Sequence, residues 1–113
     1  MKELLIELAG IQYRVWVGCN AHDNWRVIEE SNDEDIWFHL DGVPSCHVVL
    51  QHSELIDRDI LQRCAAICKS CTNRCRGKRK PNVIATPVSN LRLGKTPGMV
   101  HMLNPTKVTA FRA

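Results

Sequence analysis

The sequence predicts an α+β fold in which a mixed or mostly antiparallel sheet packs with one long helix and one shorter helix. Three observations predict it: short runs with period-two alternation, two longer segments with helical spacing, and an order of segments without the regular βαβ rhythm of a parallel sheet. At 113 residues the chain has the usual length of one domain, and residues 1–113 read as a single domain. Its 44% hydrophobic and 24% charged content is that of a chain that packs a core.

Leu4 to Leu8 reads as a strand, Ala9-Gly10 as a turn and Ile11 to Val17 as the returning strand, with Tyr13, Val15 and Val17 on one face. Gly18 ends this hairpin. Asn20 stands where a helix over about residues 21–31 needs its N-cap, and the spacing turns Trp25 and Ile28 inward. Asp35-Ile36-Trp37-Phe38-His39-Leu40 alternates strictly, placing Ile36, Phe38 and Leu40 on one side and Trp37 and His39 on the other. After the turn residues Asp41 to Ser45, a strand from Cys46 to Gln51 returns. A simple hairpin register then sets His39 opposite His47 and Trp37 opposite Val49, so that Trp37, His39 and His47 share a patch.

A long helix is expected from Asp57 to Cys75, with Asp57 and Asp59 in its first turn, Arg74 and Arg76 near its last, and Gly77 as its stop. The remainder reads as Val83 to Thr86, a break at Pro87, a loop through Arg92, Gly94, Lys95 and Pro97, a strand from Met99 to Leu103, a turn at Asn104-Pro105, and a strand from Lys107 to Phe111.

Cys64, Cys68, Cys71 and Cys75 recur at spacings that put them on one narrow helical stripe beside Ile60 and Ile67. Thiolates strung along one helix cannot converge on a tetrahedral metal, and the spacing matches no common zinc or iron–sulfur pattern. Packing of reduced thiols is the expectation, with no metal and no cofactor. The N-terminal segment Met1 to Leu8 is too short and acidic for a signal peptide, and no apolar run approaches membrane-spanning length. A cytoplasmic protein with no membrane partner is expected.

Charge is distributed very unevenly. Residues 1–59 carry four basic and twelve acidic side chains, net −8, whereas residues 60–113 carry eleven basic and no acidic ones, net +11. Such asymmetry gives a compact domain opposite electrostatic faces unless the fold interleaves the halves, and a basic face attracts phosphate backbones. The densest run contains Arg74, Arg76, Lys78, Arg79 and Lys80. A run of this kind is also what an ordinary solvated surface carries.

Val17-Gly18-Cys19-Asn20-Ala21, Asp35-Ile36-Trp37-Phe38-His39, Val43-Pro44-Ser45-Cys46-His47-Val48-Val49 and Thr96-Pro97-Gly98-Met99-Val100 resemble, in order, the signatures of the NFACT-R (NFACT RNA-binding) family. The likeness is collinear from about Gly10 to the C-terminus, in a chain that looks like a stand-alone form of the domain. It departs from the common pattern at Cys19, where Arg is frequent, at Ser45-Cys46, which replaces a Gly-Ser pair, and at Thr96, where Lys often precedes Pro-Gly. Lys95 and Arg92 supply nearby positive charge. In larger relatives the domain sits in ribosome quality-control factors that bind the large ribosomal subunit and tRNA.

The resemblance thus implies an RNA-binding module with no catalysis of its own, for tRNA or ribosomal RNA, and admits a partner protein supplying the missing family domains. Trp37, His39, His47, Arg74, Arg76, Lys78, Arg79, Lys80, Arg92 and Lys95 are the candidate contacts. Trp37 suits either core packing or a platform for an unpaired base, and the histidines either structural hydrogen bonds or phosphate and base contacts. Two other classes are kept open: a DNA-binding or protein-interaction adaptor, and a hydrolase built on Asp35, His39, His47 and Cys46.

Overall fold

The computed structural model describes residues 2–18, 20–72 and 82–112. Its strands are β1 (Lys2–Leu8), β2 (Ile11–Gly18), β3 (Ile36–Leu40), β4 (His47–Leu50), β5 (Val83–Pro87), β6 (Leu91–Leu93), β7 (Val100–Met102) and β8 (Thr109–Phe111). The helices are α1 (Ala21–Glu29) and α2 (Arg58–Ser70). Six strands form one sheet in the order β1-β2-β4-β3-β5-β8, every neighbouring pair antiparallel, and β6 pairs with β7 in a second, two-stranded sheet. This is the expected α+β architecture.

The β1–β2 hairpin closes through Ala9 (φ 51°) and Gly10 (φ 79°), with Leu8 paired to Ile11. Positive φ at both central residues is the tight turn whose twist matches that of the strands, and glycine at the second position bears the conformation without strain. Both helices start as their sequences predict. The Asn20 side chain accepts from the Asp23 N–H, and the Asp57 side chain accepts from the Ile60 N–H, each satisfying an N-terminal donor that the helix leaves open.

Alternation along the strands divides the core into two layers. Val15, Val17, Phe38, Leu40, Val48, Leu50, Val83 and Ala85 face α2 and pack on Ile60, Cys64, Ala65 and Cys68. The opposite side chains Trp37, Val49 and Ile84 pack with Val27 and Ile28 of α1 and with Val88. Leu91, Leu93 and Val100 of the small sheet complete that second cluster. The molecule is therefore layered as α2, sheet, then α1 with the β6–β7 hairpin, and Trp37 is covered by the last of these rather than by α2.

Several boundaries differ from those read in the sequence. Leu91–Leu93, taken as loop, is a strand pairing Leu91 with Met102 and Arg92 with His101. The helix expected over Asp57 to Cys75 ends at Ser70, with Cys71 as its C-cap. Thr72 explains the stop: its hydroxyl donates to the Cys68 carbonyl and accepts the Cys46 N–H, tying the chain to the strand layer instead of continuing the helix. The cysteine stripe is corrected accordingly. Cys64 and Cys68 are fully buried, Cys71 is exposed, and Cys75 lies outside the described residues.

The two charge halves do not interleave in the main sheet. Strands of the acidic half occupy β1-β2-β4-β3, and those of the basic half, β5 and β8, extend it at one end. Arg74, Arg76, Lys78, Arg79 and Lys80 lie outside the described residues.

Candidate nucleic-acid interface

The four sequence signatures meet at one place. A cleft of about 480 Å³ is lined by Gly18, Asn20, Ala21 and Asn24 from the β2–α1 junction, by His39, and by Pro44 to His47. Cys71 and Thr72 at the end of α2, and Pro97 and Gly98 of the β6–β7 turn, complete its wall. Among the described residues that line it, none is an aspartate, glutamate, lysine or arginine.

Close contacts fix this convergence. A side chain at Gly18 would put its Cβ 2.2 Å from Asn24 Oδ1, so only glycine lets α1 approach the end of β2 this closely. Gly98 has φ +88°, and an added Cβ there would stand 3.3 Å from the Ala21 backbone. Trp25 Nε1 donates to the Met99 carbonyl at 2.9 Å, anchoring the same turn to α1. Asn24 is 9% exposed and its Oδ1 accepts from the His47 N–H at 3.4 Å.

The β3–β4 ladder pairs Trp37 with Val49 and Phe38 with Val48, and the next step of that register brings His39 to His47, whose ring centroids lie 4.8 Å apart. The expected cluster of Trp37, His39 and His47 is present. The Trp37 and His39 rings stack at 5.2 Å, and Trp37 meets His47 edge-on at 5.5 Å. Trp37 is only 1% exposed, however. The open stacking platform among the sequence expectations is corrected: neither face of the indole is available to a base, because α1 and the small sheet cover that side. Its polar edge instead orders the site, with Nε1 donating to His47 Nδ1 at 3.0 Å.

These hydrogen bonds assign the protons. An indole N–H only donates, so His47 Nδ1 is unprotonated and the neutral ring carries its hydrogen on Nε2. His39 Nδ1 lies 2.6 Å from the Leu40 carbonyl, which only accepts, so Nδ1 holds the proton and Nε2 of the neutral ring is an acceptor. Burial, followed by the neighbouring His39, pushes the His47 pKa down to about 3, against a backbone hydrogen bond at Gly98. Burial also lowers the His39 value, opposed by the Leu40 carbonyl and by Asp41.

A pH dependence follows. Folded values below the ordinary 6.5 mean that the unfolded chain binds protons first as the pH falls. The stability from the neutral pair is full above about pH 6.5 and is lost towards pH 3, at on the order of 1 kcal/mol per pH unit for His47. Chemical denaturation between pH 7.5 and 4 is expected to show this loss, and His47→Gln to flatten it.

Asp35 does not orient either cleft histidine. Its carboxylate accepts the backbone N–H groups of Asn32 and His52 at 2.9 and 2.8 Å, at the start of β3 and away from His39. Cys46 Sγ donates to the Cys71 carbonyl rather than to His47. Asp35, His47 and Cys46 therefore assemble no nucleophilic triad. Among the described residues, no group of three His, Cys, Asp or Glu side chains is placed to hold a metal ion. Arg92 is exposed on β6 and Lys95 is exposed in the turn that follows, two positions before Pro97. Sequence reasoning missed Gly18, Asn24, Cys71 and Thr72 as cleft residues. Asn24 carried a readable signal, a polar side chain three and four positions before Val27 and Ile28 on the inward face of α1.

The family model described as the NFACT protein RNA binding domain matches residues 7–105. The chain belongs to this family. It is 33% identical over 85 residues to coiled-coil domain-containing protein 25 of Bos taurus, covering 71% of this chain and 41% of the relative. It is 28% identical over 101 residues to the Dictyostelium discoideum homolog of that protein, covering 85% and 48% respectively. This NFACT RNA-binding chain thus spans less than half the length of these relatives. Its fold matches the structure of the C-terminal part of the fibronectin/fibrinogen-binding protein from Streptococcus suis with a TM-score of 0.79 at 20% identity, covering 96% of this chain and 44% of that one. Among the described residues, no helix is long and apolar enough to cross a membrane.

Proposed function

We propose that the chain binds an unpaired segment of tRNA or ribosomal RNA, with a base or ribose entering the cleft and the phosphates meeting the basic run. One observation carries this reading. The four signatures of an RNA-binding family, far apart in sequence, converge on one cleft whose described lining carries no carboxylate, ammonium or guanidinium group, and in the sequence Thr72 is soon followed by Arg74, Arg76, Lys78, Arg79 and Lys80. Amide, hydroxyl and imidazole groups suit base edges and ribose hydroxyls, whereas a basic segment suits the backbone, and single-stranded RNA recognition needs both.

Neutral His39 offers an acceptor at Nε2, and Trp37 acts by holding the imidazoles in place. Lys95 and Arg92 add charge on the β6–β7 side. The setting proposed is cytoplasmic, as the RNA-contacting part of a ribosome-associated quality-control assembly. Crosslinking the protein to cellular RNA and sequencing the recovered fragments tests this: enrichment of unpaired tRNA or ribosomal segments is expected, while preferential recovery of duplex regions or DNA would contradict it.

A further inference from the structure

We propose that Cys46 and Cys71 are a redox-sensitive thiol pair, which a peroxide converts into a disulfide joining the start of β4 to the end of α2 inside the cleft. Both residues line it. Cys46 Sγ donates to the Cys71 carbonyl at 2.9 Å, and the Cys46 N–H donates to Thr72 Oγ1 at 3.1 Å, so one sulfur already lies against the backbone of the other cysteine. Cys71 is the C-cap of α2 and is exposed, so its side chain can turn towards Cys46 with adjustment of a terminal helical turn only. The deeper thiols differ. Cys64 and Cys68 are 0% exposed, and burial pushes the Cys64 thiol up to about 12, which keeps it protonated and unreactive.

In the oxidation, the Cys71 thiolate attacks a peroxide oxygen, breaking the O–O bond to give a sulfenic acid and hydroxide. Cys46 sulfur then attacks the sulfenyl sulfur, forming the S–S bond and expelling a second hydroxide. The two thiol protons convert both hydroxides to water. Each sulfur gives up one electron and the peroxide gains two. The bond removes the S–H donor from the Cys71 carbonyl and draws the end of α2 towards β4, narrowing the cleft beside His47. That this weakens RNA binding rests on the function proposed above; formation of the disulfide does not.

The experiment treats the full chain with hydrogen peroxide, blocks remaining thiols, and maps crosslinks by mass spectrometry without reduction. A Cys46–Cys71 peptide pair is expected as the main product, absent after dithiothreitol and in Cys71→Ser. Cys46→Ser, which keeps a donor to the Cys71 carbonyl, is expected to fold normally and to form no such pair. Unmodified Cys46 and Cys71, or a main crosslink through Cys19 or Cys75, would overturn the proposal. On a single-stranded oligoribonucleotide, oxidation is expected to weaken binding about tenfold, the scale of one lost base contact, with recovery on reduction. A mapped Cys46–Cys71 bond with unchanged affinity would support the thiol pair and remove the cleft from the RNA-binding reading.

Discussion

Replacing Trp37 with alanine is expected to lower folding stability by about 3 to 5 kcal/mol, the range for truncating a fully packed aromatic side chain. The indole is 1% exposed and fills the layer between Val27, Ile28, Val49, Ile84 and Val88. Its loss also takes away the donor to His47 Nδ1, leaving a buried imidazole nitrogen without its partner. Trp37→Phe separates the two effects. It keeps most of the apolar volume and should cost about 1 to 3 kcal/mol for the unsatisfied nitrogen and partial void. Urea denaturation measures both variants. A Trp37→Ala protein of unchanged stability but lost affinity for single strands would restore the stacking platform and contradict the burial account.

Replacing Arg76, Lys78, Arg79 and Lys80 together with alanine is expected to produce the largest loss of RNA affinity, on the order of tenfold to a hundredfold at low salt. The cause is counterion release. Each phosphate neutralised by a cation frees condensed ions, so the wild-type affinity should fall steeply with salt and the variant's much less steeply. The loss should be alike for all sequences, because these contacts carry no base readout. Stability is expected to stay nearly constant, and a large loss of folding would show instead that the run is structural. Filter-binding titrations at several salt concentrations, alongside thermal melts, check this. A wild-type affinity indifferent to salt would reject the basic run as the phosphate contact.

Much of this was legible in the sequence wherever period and register decide the outcome. Ile36 to Leu40 alternate strictly, and together with the short return through Pro44 this placed Trp37 across from Val49 and His39 beside His47, as the ladder and the ring contacts show. What covers that face was not legible. Val27, Ile28 and Leu91 come from segments remote in the chain, and Leu91–Leu93 is a three-residue strand with an arginine at its centre, too short for a readable alternation. The end of α2 was misplaced for a similar reason. The cysteine spacing continues helically to Cys75, but the Thr72 hydroxyl ends the helix through a hydrogen bond to Cys46, 26 positions away. Long-range polar contacts of this kind leave no local period. The cleft was half visible: its histidines followed from register, whereas the Gly18–Asn24 and Gly98–Ala21 approaches depend on how α1 lies against the sheet.

The most direct test of the account is an NMR titration of the isotopically labelled chain with a short unpaired oligoribonucleotide, following backbone amides and imidazole signals together. Perturbations are expected to converge on Gly18, Asn24, Ser45, His47, Thr72 and Gly98 and on the His39 ring, with the basic run responding in parallel and losing its response at high salt. Perturbations confined to the outer face of α2 or to the β1 edge, with the cleft residues unmoved, would contradict it.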